Sequence, residues 1–172
     1  MALIKTIRGI SPVIGKNCYL AETAVLIGEV ILGDNCSIWY NTVLRGDVHY
    51  ITIGNNVNIQ DGTIIHGTYK KAPVNIGNNV SVAHRTIIHG CTLHDNVLIG
   101  MGAIIMDHAE IRSNSIIAAG SVVLEHTVVE ENSLYAGIPA KRIKPIEDTP
   151  LKEKIMGTAE HYLKYMEWYR DG

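Results

Sequence analysis

Three of the eight histidines in this 172-residue chain, His66, His84 and His89, have spacings that suggest shared chemistry. Imidazole is a common zinc ligand, and three neutral ligands leave the ion's full charge to act on a bound water and lower its pKa. His66 and His89 occupy equivalent places in a six-residue hydrophobic repeat, as does Arg45. Stacked on adjacent coils about 4.8 Å apart, the two imidazoles can share one ion. His84 lies five residues before His89, roughly 16 Å of extended chain at about 3.3 Å per residue. Zinc–nitrogen bonds are only about 2.0–2.1 Å, so His84 joins such a site only from another subunit. The spacing therefore predicts an oligomer with metal at its subunit contacts, and a threefold arrangement suits a triangular prism. Zn²⁺ is the default ion; imidazole also suits Fe²⁺ or Co²⁺. On spacing alone, two plainer readings stay open. A histidine in a surface turn is usually only a polar group, and Arg45 with Asp47 reads equally as a surface ion pair worth about 0–1 kcal/mol.

The element that must position these residues is a repeat. Every sixth residue from Ile14 is aliphatic through Leu44, and the phase resumes at Ile53–Ile65, at Ile76–Ile88, and from Leu93 to Tyr135. Twenty hexads result, all but one led by an aliphatic residue. Four residues after most leads stands a small or β-branched residue, such as Cys18, Ala24, Val30, Cys36, Thr42 and Val48. Lead and fourth follower share a parity, so both are expected to point inward from an extended segment. An independent pattern agrees. Asn recurs every third hexad at 17, 35, 56, 79, 96, 114 and 132, with irregular gaps only in the middle. Asn tolerates the left-handed region, so each coil has one Asn corner. Seven coils of parallel strands make a β-helix.

Composition fits that architecture. The chain has 25 Ile, 14 Val and no Phe, a pattern suited to short strands around a narrow core. Net charge is -2, so no positive field suggests nucleic acid. No apolar run reaches the roughly 18 residues of a membrane span, and Met1-Ala-Leu-Ile-Lys5 lacks a signal-peptide layout. Three Cys without metal-type spacing argue against a disulfide framework, and Cys18, Cys36 and Cys91 read as small residues of the coils or turns. A cytoplasmic protein is the expectation. From Thr149 the spacing turns helical, with Ile155, Ala159, Tyr162, Leu163, Met166 and Tyr169 on one face. Residues 1–145 are thus read as the β-helix, and 146–172 as a tail whose helix, over 149–170, is capped by Thr149 and packs on a prism face, its own or a partner's. His49, His94, His108, His126 and His161 fall at scattered phases and read as surface groups.

The stretches Ser37-Ile-Trp-Tyr-Asn-Thr-Val-Leu-Arg-Gly-Asp47, Asn58-Ile-Gln-Asp-Gly-Thr-Ile-Ile-His66 and His84-Arg-Thr-Ile-Ile-His-Gly-Cys91 resemble the signature of γ-class carbonic anhydrases, as does Leu98-Ile-Gly-Met-Gly-Ala103. The likeness covers about residues 10–145. The resemblance implies a left-handed β-helix and a homotrimer that hydrates CO2 reversibly to bicarbonate at a metal site between subunits. It implies His66, His84 and His89 as metal ligands, with Arg45 and Asp47 as the ion pair supporting trimer contact. It also implies Gln60 as the group that positions substrate, with Asp61 in the same hydrogen-bond network.

Two positions depart from the family's pattern. Val48 follows Arg-Gly-Asp where an acidic residue is usual, and the loop Gly67–Asn75 carries Lys70 and Lys71 but no carboxylate. Both acidic features are associated with proton shuttling, so the departures imply slow hydration or none. Two other readings follow. One is a metal-binding trimeric scaffold that turns over nothing. The other is a hexapeptide-repeat acyltransferase using an acyl-coenzyme A, since Tyr135-Ala-Gly-Ile-Pro-Ala-Lys141 is shared with that group.

Overall fold

Because each hexad turns the chain by one face, the repeat winds into a three-faced parallel β-solenoid of seven Asn-cornered coils, followed by one helix. The computed structural model describes residues 1–147 and 149–170. One face stacks Leu20, Ile38, Ile59, Val82, Ile99, Ile117 and Tyr135 in register as part of an eight-stranded sheet. The other two faces form a single twelve-stranded sheet, because Val25–Leu32 and Val43–Ile53 run unbroken around the corner between them. The lead residues are buried except Ile14 and Leu20, which are half-buried at the open end of the stack. No helix among the described residues is long and apolar enough to cross a membrane.

The corners account for the recurring Asn residues and for the glycines two places before some of them, such as Gly33 before Asn35. All seven predicted Asn residues hold φ between 52° and 58°, and a side-chain ladder runs between them. Asn56 Nδ2 donates to Asn79 Oδ1 (3.0 Å), and Asn79 Nδ2 donates to Asn96 Oδ1 (3.1 Å). Beside it, the backbone N–H of Asp34 donates to Asn55 Oδ1, and that of Asn55 to Asn78 Oδ1. A Cβ at Gly33 would stand 2.6 Å from the carbonyl oxygen of Gly54, so close stacking excludes a side chain there. Replacing Asn79 with Ala is expected to cost about 2–4 kcal/mol in urea unfolding, from two lost hydrogen bonds and left-handed strain. Asn79→Gly, free of the strain, should recover part of that loss.

Two insertions break the six-residue phase, and both lie beside the histidines. Gly28 pairs Gly46, but Val30 pairs Ile51, so Val43–Ile53 carries extra residues after Gly46. Val48 stands in that bulge and is half-buried, not inward as its spacing suggests. The next coil contains a hairpin closed by Thr68 and Ala72, with Lys70 at its tip.

The helix spans Pro150–Trp168, starting behind Thr149 as expected and ending before the expected residue 170. Thr149 takes the N-cap position, but its hydroxyl donates to the Ile146 carbonyl instead of capping. The helix packs on the eight-stranded face of its own chain. Ile155 meets Leu98, Ile116 and Ile146, while Met166 meets Tyr19, Ala21 and Trp39. Tyr169 lies past the helix as its C-cap and is exposed, though its ring contacts those of Tyr19 and Trp39.

Candidate metal centre

Parallel pairing sets Arg45 beside His66, and His66 beside His89, as the hexad count predicts. Nδ1 of His66 and Nε2 of His89 face each other at 3.2 Å. Each ring's other nitrogen is held by a carboxylate. His66 Nε2 lies 3.1 Å from Asp47 Oδ1, and His89 Nδ1 lies 2.5 Å from Asp107 Oδ1. Arg45 Nη1 donates to Asp47 Oδ2 at 2.7 Å, and the Thr68 hydroxyl donates to Asp107 Oδ2. Burial raises the pKa of both carboxyls, but hydrogen bonds outweigh it and hold both below the ordinary carboxylate value. Those bonds come from Arg45 and His66 for Asp47, and from Thr68 and His89 for Asp107. Burial lowers the pKa of His66 against the pull of Asp47, which favours the neutral imidazole that a metal requires.

His84 belongs to a different face of the same coils. Its Nδ1 lies 2.9 Å from Asp61 Oδ2, so it too has one nitrogen on a carboxylate and one left over. Beside it, buried Gln60 donates its amide to Asn58 Oδ1 (2.9 Å), and Asn58 donates to Ser81 Oγ (2.8 Å). Gln60 and His84 open on a cavity of about 490 Å³ between this face and the helix, shared with Leu98, Ile116, Lys154 and Tyr162. Among the described residues, no three His, Cys, Asp or Glu side chains of one chain converge on a point that could hold a metal. The chain therefore carries two separate clusters: Arg45, Asp47, His66, His89 and Asp107 on one face, and Gln60, Asp61 and His84 on another.

The His66–His89 pair has a spacing that fits a metal. Two nitrogens bound to one tetrahedral zinc stand roughly 3.3 Å apart, which follows from bonds of about 2.0–2.1 Å. The His66–His89 separation of 3.2 Å matches. A carboxylate on the remote nitrogen is how ligand imidazoles are oriented and made more basic.

Sequence reasoning missed Asp107, Thr68, Asn58 and Tyr162. Register places Met106, not Asp107, after the lead that pairs with Ile88. The carboxylate instead reaches back from the following turn across Gly90, whose φ is +55° and where a Cβ would stand 2.5 Å from Asp107 Oδ1. An 18-residue count from His89 does reach Asp107. Two carboxylates from later coils, Asp107 and Glu125, share an opening of about 330 Å³ with Thr68 and His89. The remaining histidines are less scattered than expected. His108 and His126 stack on adjacent coils with ring centroids 4.8 Å apart, His94 pairs with Glu110, and His49 is half-buried.

A family model described as bacterial transferase hexapeptide (six repeats) matches residues 11–46 and 90–125. The chain is 38% identical to protein YrdA of Escherichia coli (strain K12), over 98% of this chain and 95% of the relative. It is 41% identical to a carbonic anhydrase of Geobacillus kaustophilus, over 88% of this chain and 82% of that one. Among solved structures, a hexapeptide transferase family protein from Anaplasma phagocytophilum superposes with a TM-score of 0.93 at 37% identity, covering 97% of this chain and 98% of that one.

Proposed function

Because the chain belongs to the γ-class carbonic anhydrase-like family of hexapeptide-repeat proteins, we propose that it catalyses the reversible hydration of CO2 to bicarbonate at a metal site shared between subunits of a homotrimer. The observation that carries this reading is the common treatment of three histidines. His66, His84 and His89 each have one ring nitrogen on an aspartate and the other off any carboxylate, those of His66 and His89 facing each other. His66 Nδ1 and His89 Nε2 of one subunit, with His84 Nε2 of another, would hold Zn²⁺, or Fe²⁺ or Co²⁺. A divalent cation there supplies Lewis acidity that brings the ionisation of water toward neutral pH.

The chain's own groups do the rest. Asp47, Asp61 and Asp107 orient the imidazoles, and Arg45 fixes Asp47. Gln60, held by Asn58, presents its amide group to the substrate beside His84. An outward aliphatic column supports the shared site. Val43, Ile64, Ile87, Ile104 and Val122 stand in register beside the histidines, with Ile64 47% and Ile87 38% exposed. A second subunit laid on that column would cover it and bring its own His84 face to His66 and His89.

The test is metal content and stopped-flow CO2 hydration on anaerobically purified protein, beside His66→Ala. About one metal per chain with hydration, both lost in the variant, is the expected result. Metal without hydration would leave the scaffold reading, and an absence of metal would overturn both. Glu125 lines the opening that also holds His89, and in this reading it carries the proton to solvent. Glu125→Gln should therefore lower kcat on the order of 10²-fold in dilute buffer, leave kcat/KM near wild type, and respond to added imidazole.

A further inference from the structure

Far from the histidines, Cys18 and Cys36 stand one above the other on the first two coils. The next residues pair directly, Tyr19 with Ser37, and the Tyr19 N–H donates to the Cys36 carbonyl at 2.8 Å. Each thiol sits at the same place in its coil and donates to the same kind of acceptor: Cys18 Sγ to the Gly33 carbonyl (3.2 Å) and Cys36 Sγ to the Gly54 carbonyl (3.1 Å). Residues stacked in this way have Cα atoms about 4.8 Å apart, inside the 4.4–6.8 Å range that a disulfide spans. Their accessibility differs: Cys36 is fully buried, whereas Cys18 is half-buried at the open end of the stack. We infer that Cys18 and Cys36 form a peroxide-driven intrachain disulfide that staples the first coil to the second.

The chemistry divides the two roles. The neighbouring Cys36 thiol holds the Cys18 thiol down to about 7, although burial opposes it, while the Cys18 neighbour and burial push Cys36 up. Cys18 is thus the thiolate and the reachable partner. Its sulfur attacks the peroxide O–O bond, one water leaves, and Cys18 becomes a sulfenic acid. The Cys36 sulfur then attacks the Cys18 sulfur, the S–OH bond breaks, and a second water leaves with the Cys36 proton. Two thiols are oxidised and one hydrogen peroxide is reduced to two waters. The staple would act where the coil needs it. Leads Ile14 and Leu20 are only half-buried there, and the C-terminal segment closes on the first two coils through Tyr19, Trp39 and the Arg170–Asn17 contact.

The experiment treats the folded, reduced protein with a small excess of hydrogen peroxide and reads intact mass and linked peptides, with Cys91→Ser as control. A loss of two mass units is expected in wild type and in Cys91→Ser. It should be absent in Cys18→Ser and in Cys36→Ser, and reversed by dithiothreitol. Oxidised wild type should melt roughly 5–10 °C higher, in line with closing an 18-residue loop. Oxygen additions on Cys18 without linkage, linkage between chains, or three thiols still free after treatment would each overturn the inference. None of these readouts depends on metal or on hydration.

Discussion

When chains carrying His84→Ala and chains carrying His89→Ala are unfolded together in equal amounts and refolded, about one quarter of the wild-type metal content and hydration should return. Either variant alone should have close to none. In the proposed trimer each site would draw His66 and His89 from one subunit and His84 from its neighbour, so every site in a pure variant would lack a ligand. In a random mixture, half the sites present an intact His66–His89 pair, and half of those meet a neighbour that keeps His84. The geometry behind this is specific. His66 and His89 nitrogens already stand 3.2 Å apart, whereas His84 sits on another face with Asp61. If one chain could gather all three ligands, mixing would restore nothing. The readouts are metal analysis and stopped-flow hydration on the same refolded sample.

Replacing Asp107 with Asn should weaken metal binding by about 10–100-fold in competition with a chelator while leaving the fold intact. Asp107 accepts from His89 Nδ1 at 2.5 Å and is itself held by Thr68, so it fixes both the ring's orientation and which nitrogen carries the proton. An amide there can donate to Nδ1 and so favour the tautomer that puts the proton on Nε2, the nitrogen facing His66. Wild-type affinity in Asp107→Asn would mean that the aspartate only packs against the turn. Gly90→Ala should produce a milder form of the same defect, since its Cβ would crowd Asp107 and Ala72.

How much of this was readable in the chain differs between the coils and the contacts among them. The coils were legible because their signals are local and repeated. Asn79 adopts its left-handed corner for reasons contained in its own residue type, and Ile88 is buried because its place in the hexad points it inward. The stacking of Arg45, His66 and His89 followed from counting, since parallel register preserves the count. Val48 was misplaced because residues inserted after Gly46 bulge one strand and break its alternation. Asp107 was missed because its carboxylate belongs to a turn and reaches across a glycine into the coil below. The Thr149 hydroxyl bonds backward to Ile146 because that carbonyl is within reach where the chain leaves the last strand.

The sequence by itself therefore determined a solenoid of seven Asn-cornered coils with a slim aliphatic core, and the faces on which its histidines lie, because periodicity fixes direction. Only the tertiary structure decided which aspartate holds each histidine: Asp47 for His66, Asp61 for His84 and Asp107 for His89. Those pairings depend on side-chain reach between coils whose phase the insertions reset, and no local spacing encodes that reach.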